Sequence, residues 1–138
     1  IHTAQKAGLR VCSGGIFGLG ETPRQRVEMA FTLKDFGIDS IPLNILNPIP
    51  GTPFANNQPL SPWEILRTFA VFRFILPKAL IRTAGGREVN LRSMQAYALT
   101  SGLNGLMIGG YLTTDGNAVS VDMQMLHDLG RRPTQPQV

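Results

Sequence analysis

The segment from Leu9 to Glu21 does most to limit what this chain can become. A short apolar run, Leu9-Arg-Val-Cys12, leads into Ser13-Gly-Gly-Ile-Phe-Gly-Leu-Gly20, and Thr22-Pro23 follows with Gln25 close behind. The first run suits a buried parallel strand. Thr22, Pro23 and Gln25 are spaced as a capping box with proline at the first helical position. Strand, glycine turn and helix in direct succession make a βα unit, in which a ligand lies beyond the carboxyl end of the strand, where glycine backbone can come close to it.

The unit recurs. Pro23 to Phe36 carries Val27, Ala30, Phe31 and Leu33 on an apolar helical stripe, with Arg24, Arg26, Glu28 and Lys34 assigned to the polar face and Gly37 closing the helix. Ile38 to Leu46 reads as a second strand, whose period of two sets Ser40, Pro42 and Asn44 on one face and Ile41, Leu43 and Ile45 on the other. The plain expectation for Asn44 is a bond to neighbouring backbone. Asn47 to Phe54, with three prolines and a glycine, is a stiff extended loop. Ser61-Pro-Trp-Glu64 is a second capping box, launching a helix to about Leu76 with Ile65, Phe69, Phe72 and Leu76 buried and Trp63 packed. Lys78 to Ala84 holds a third strand, in which Arg82 needs a partner, the plain choice being Glu88. Gly85-Gly86 turns into a helix over Leu91 to Ser101, Leu106-Met-Ile108 is a fourth strand, Thr113-Thr114 begins a polar loop, and a helix follows from Val119 to Leu129 with His127 on its surface.

Strands and helices alternating at intervals of about 30 to 40 residues predict parallel strands joined by right-handed crossovers. The expected fold is α/β, half of a (β/α)8 barrel whose complete form takes about 250 residues. Residues 1–132 are assigned to the half barrel and 133–138 to a flexible tail. The chain starts at Ile1, and Ile1 to Ala7 reads as a helix remnant closed by Gly8, which leads to the expectation of a piece of a longer protein. With 43% apolar residues the chain can bury a core, and its net charge of +4 comes from scattered arginines rather than a basic run, which argues against a nucleic-acid partner. One cysteine makes no internal disulfide and no metal site alone. With neither a signal peptide nor an eighteen-residue apolar span, the expected setting is cytoplasmic, without a membrane.

Two glycine-motif readings fail. Gly18-Leu-Gly20-Glu-Thr-Pro23 has proline where a dinucleotide fingerprint needs its third glycine, and no Gly-Lys-Ser/Thr follows for a phosphate loop. What remains, Gly14-x-Ile16-x-Gly18-x-x-Glu21, resembles the adenine-side motif on the fifth strand of radical S-adenosylmethionine enzymes. Together with Ser40-Ile-Pro-Leu-Asn-Ile-Leu46, Pro48-Ile-Pro-Gly-Thr-Pro53 and Ile81-Arg-Thr-Ala-Gly-Gly-Arg-Glu88, it resembles the biotin synthase family, to about Arg132 and as the carboxyl-terminal half of that family's barrel, the biotin and thiamin synthesis associated region.

The resemblance implies conversion of dethiobiotin to biotin, with sulfur from a two-iron two-sulfur cluster. The radical would come from S-adenosylmethionine on a separate four-iron four-sulfur cluster. It implies Cys12 and Arg82 as ligands of the two-iron cluster, the arginine being an unusual ligand because it is normally a protonated donor. Asn44 resembles the contact to the substrate's ureido ring, and Thr113 and Thr114 the contacts to its carboxylate. Ser40, beside the cluster, joins them in the substrate set. Gly14, Ile16 and Asn47 resemble the S-adenosylmethionine contacts. Gly105 stands where familiar members carry a serine. An electron donor such as flavodoxin or ferredoxin and a homodimer at full length are also implied. The chain has no CxxxCxxC for the four-iron cluster, so this length is expected to be inactive alone. Other readings are a related radical enzyme of the hydrogenase-maturation or pyrrolysine-synthesis type, or a non-catalytic half-barrel module.

Overall fold

A computed structural model describes residues 1–111 and 115–134. The chain divides into two units, Ile1–Met107 and a second beginning at Ile108. The first opens with α1 (His2–Lys6) and then alternates β1 (Gly15–Phe17), α2 (Pro23–Asp35), β2 (Ser40–Ile45), α3 (Pro62–Ile75) and β3 (Leu80–Thr83). Two short helices, α4 (Arg87–Leu91) and α5 (Gln95–Thr100), lead to β4 (Gly105–Leu106). The four strands lie in sequence order, each parallel to the next, as expected of half a barrel. The second unit contains α6 (Val119–Asp128), where His127 is exposed. No helix among the described residues is long and apolar enough to cross a membrane. Thr113 and Thr114 lie outside the described residues, as does most of the segment assigned to the tail.

The two faces of the sheet differ. Ile41, Leu43, Ile45, Ile81 and Thr83 are buried and, with Ile65, Phe69 and Phe72 of α3, belong to the core. Along β2 burial alternates residue by residue, so Ser40, Pro42 and Asn44 share the opposite face as the period of two requires. That face also carries Ile16, which pairs with Asn44, and Arg82, which pairs with Pro42. It is open, with Ile16 49% and Leu80 45% exposed.

Several local expectations are corrected. The first strand is Gly15–Phe17 rather than Leu9–Cys12, and Cys12 makes only an isolated parallel bridge to Ser40. The two glycines serve close packing rather than a turn. A Cβ on Gly14 would overlap the Pro42 carbonyl oxygen, and one on Gly15 the Met29 side chain. The turn itself comes later, at Gly18 and Gly20, both with positive φ.

In α2 the capping box of Thr22 and Gln25 is complete, but Arg26 is buried and Phe31 is exposed, the reverse of their assigned faces. Arg26 occupies the inner stripe with Ala30 and Leu33, a spacing of four and three. At α3 Ser61 caps Glu64, but the return half of the box is missing because the Glu64 carboxylate binds Arg26 instead. Trp63 is 61% exposed rather than packed. The helix expected at Leu91 to Ser101 begins earlier and breaks at Arg92, whose φ of 51° is one that side chains other than glycine rarely adopt.

Candidate functional site

On the open face, polar side chains gather at two stations. At the amino end of the strands, Arg82 donates one guanidinium N–H to the Ser40 hydroxyl at 2.9 Å and another to the Cys12 sulfur at 3.0 Å. Three elements supply these groups: the segment before β1, the first residue of β2, and β3. Arg82 therefore has two partners, and neither is Glu88, which pairs with the neighbouring Arg87. Cys12 is a free and exposed thiol.

The second station lies toward the carboxyl end. Asn44 donates to the Gly15 carbonyl at 3.3 Å and accepts the Gly85 N–H at 2.9 Å. One side chain thus joins β1, β2 and the turn after β3, as its plain reading predicts. An amide carries two N–H groups and two lone pairs, so half of its capacity is uncommitted among the described residues. Ile16 pairs with Asn44 across the ladder and exposes its side chain beside it. Asn47 follows β2, half-buried, with Gly14 just before β1. Cys12, Ser40, Asn44 and Arg82 therefore do not all meet at one strand end: three do, and Asn44 sits four residues, roughly 13 Å, further along β2.

Beyond β1 the glycine turn is held by side chains from outside it. The Glu21 carboxylate accepts the N–H groups of Gly18 at 2.9 Å and Leu19 at 2.8 Å, while Asn57 donates to the Gly18 carbonyl at 2.9 Å. Arg26 binds Glu21 at 2.7 Å and Glu64 at 2.8 Å. Partial burial pushes the Glu21 pKa up, but the Gly18 N–H and Arg26 outweigh it and hold the carboxyl below its ordinary range. The sequence reading does not single out Arg26 as a residue that orders this turn. The signal lay in its spacing, since positions 26, 30 and 33 fall on one helical stripe.

Residues 42–132 match the family described as the Biotin and Thiamin Synthesis associated domain. The chain belongs to this family. It also corresponds to the carboxyl-terminal portion of curated proteins named biotin synthase. It is 60% identical to the one from Carboxydothermus hydrogenoformans over 130 residues, covering 94% of this chain and 40% of that protein. Against those from Clostridium acetobutylicum and Geobacter sulfurreducens the identity is 57%, covering 94% of this chain in both cases and 39% and 40% of the respective relatives. The chain thus spans about 40% of the length of the curated relatives it matches. The expected resemblance is met in family and in fold.

Proposed function

We propose that this chain forms the carboxyl-terminal half of a radical S-adenosylmethionine enzyme that inserts sulfur into dethiobiotin to make biotin. The observation that carries the reading is the Cys12–Arg82–Ser40 cluster, three side chains from separate elements on an open sheet face, in which the Arg82 guanidinium donates to the Cys12 sulfur and to the Ser40 hydroxyl. A structural surface cysteine has no need of a guanidinium held for it by a strand. Cytoplasmic location, an external electron donor such as flavodoxin or ferredoxin, and a homodimer at full length belong to the same proposal.

The donor set fits an iron-sulfur cluster in part. A thiolate is the usual protein ligand, and N–H groups directed at the sulfurs are one means by which a protein tunes such a centre. This chain has one cysteine, and its described residues contain no group of three or more His, Cys, Asp or Glu able to hold a metal. Further ligands would have to come from elsewhere. Cys12 would ligate the two-iron cluster, with Arg82 beside it as ligand by resemblance and as hydrogen-bond donor by ordinary chemistry. Bound there, that cluster would supply the sulfur atom, with S-adenosylmethionine and a four-iron cluster supplying the radical that takes hydrogen from the substrate.

The chain's own part is to bind and orient. Asn44 offers an N–H donor and a carbonyl acceptor to a ureido group, which presents the complementary pair. Ile16, half-exposed beside it, offers an apolar surface to an adenine ring, and Gly14, packed on Pro42 just before β1, remains proposed for the same cofactor. Asn47 lies just beyond the same end of β2. Thr113 and Thr114 remain proposed for the substrate carboxylate. A substrate held between the two stations along β2 would present the same carbon to the sulfur source on one side and to the S-adenosylmethionine side on the other.

Cys12→Ala in a chain restored to the length of its relatives tests the reading. Iron and sulfide analysis with absorption spectra should show the two-iron cluster lost and the four-iron cluster kept. Unchanged two-iron content in the variant rejects the assignment.

A further inference from the structure

We propose that Arg26, which no motif includes, is a positioning residue for the S-adenosylmethionine subsite. It acts through Glu21 to hold the Gly18-Leu19-Gly20 turn in one conformation. The inference rests on the reading of Ile16 and its strand as the adenine side.

The turn has a specific need. Gly18 has φ +97° and Gly20 φ +107°, both in the region that glycine enters freely, so its own backbone does little to select one shape. Selection comes from outside. Two successive N–H groups, of Gly18 and Leu19, converge on the Glu21 carboxylate, and Glu21 Oε1 is fixed in turn by Arg26 Nε at 2.7 Å. Arg26 is itself held on three further sides. Its Nη1 donates to Glu64 at 2.8 Å and to the Thr68 hydroxyl at 3.4 Å, and its guanidinium carbon lies 5.8 Å from the centre of the Phe17 ring. Phe17 ends β1, one residue before the turn. Arg26 is 4% exposed, and a charge so buried is retained only with its partners.

The arrangement links a rigid helix pair to a permissive loop. Glu64 and Thr68 tie Arg26 to α3, and Glu21 carries that position to the turn. A hollow of ≈ 460 Å³ borders the turn and is lined by Gly18, Leu19, Glu21, Arg26, Asn57 and Glu64. The ion network therefore bounds open space rather than filling a dense core. A side chain that holds a binding loop in one shape raises affinity by cutting the ordering that binding would otherwise require.

The test uses the restored full-length protein and measures equilibrium binding of S-adenosylmethionine and of dethiobiotin by anaerobic calorimetry. Arg26→Gln and Glu21→Gln should each weaken S-adenosylmethionine binding by about tenfold. Dethiobiotin binding should stay within about twofold, and the double variant should be no worse than the poorer single, because the two residues act in series. Glu64→Gln, which removes one of the two ties from Arg26 to α3, should weaken S-adenosylmethionine binding less than Arg26→Gln or Glu21→Gln does, because Thr68 and Glu21 still hold the guanidinium. Should Arg26→Gln not fold, Glu21→Gln carries the test, since it keeps an acceptor oxygen and the side-chain shape.

Normal S-adenosylmethionine affinity in Glu21→Gln and in any folded Arg26→Gln, accompanied only by a lower melting temperature, overturns the proposal. Ile16→Asp separates the two ideas. If it abolishes binding while Arg26→Gln and Glu21→Gln do not weaken it, the positioning role fails and the adenine-side reading stands. If Ile16→Asp binds normally, that reading fails and takes this inference with it.

Discussion

The two faces of the sheet come from the same strands and share every backbone hydrogen bond, yet they serve opposite ends. The helix-side face is closed by residues such as Ile41, Leu43 and Ile81, all with no measurable exposure, and leaves little for a ligand to add. The other face interleaves Ile16, Ser40, Asn44, Leu80 and Arg82, half-buried or exposed, with polar groups that bridge strands. Alternation along a strand makes this division possible at no cost in register. Stability lives on one face, and uncommitted polar and apolar surface on the other.

The largest expected effect follows from leaving the second face uncovered. β1 and β4 are the edges of an open four-stranded sheet, and apolar Ile16, Leu80 and Met107 are each more than 40% exposed. Edges and apolar patches of this kind invite a second copy. The 138-residue chain is expected to self-associate, and co-expression with the amino-terminal part of a relative should suppress it. Light scattering after size exclusion checks this, and a concentration-independent monomer would break the contrast between the faces.

Paired truncations sharpen it. Ile41→Ala on the closed face should cost about 3 kcal/mol, within the usual range for a buried isoleucine. Ile16→Ala on the open face should cost less than about 1 kcal/mol while weakening S-adenosylmethionine binding in the full-length protein. Urea titration of both variants measures the first difference, and equal losses would show that Ile16 is core. Gly14→Ala comes next, at about 2 kcal/mol, because its Cβ would overlap the Pro42 carbonyl and push β1 from β2. A neutral result in the same titration would mean that the two segments can separate without loss.

These positions also show how far residues alone carry the reading. The alternation of β2, the cap of α2 and the buried stripe of α3 are local periodic signals, and each appears where the periods put it. Gly14 and Gly15 misled because glycine signals both turns and close approach, and only the neighbours Pro42 and Met29, distant in sequence, decide between them. Arg26 misled because polarity outweighed its spacing, and its two carboxylate partners come from a loop and another helix. Trp63 points outward although its size favours packing. At the candidate site, Cys12, Ser40 and Arg82 were legible as residues, and the Arg82 partner was not. Strand pairing brings Cys12 within reach across 70 positions, whereas the nearby Glu88 is taken by Arg87.

The smallest expected effect concerns the Glu21 carboxylate, which links the glycine turn after β1 to α2. The folded Glu21 carboxyl titrates below its ordinary range because the Gly18 N–H and Arg26 favour the ionised form more than burial disfavours it. A carboxyl whose folded pKa is depressed stabilises the protein above its unfolded pKa, and that contribution fades as the pH falls through the folded value. Glu21→Gln keeps the shape but removes the charge. Near neutral pH it should lower stability by about 1 kcal/mol, the scale of a charge-assisted hydrogen bond discounted for partial exposure. On acidification the wild-type curve should fall toward that of the variant, so the gap closes from one side. Melting temperatures of the full-length protein and its variant across the acid range measure this. Parallel curves would mean that Glu21 holds the turn by shape alone, and the charge link from α2 to the glycine turn would be broken.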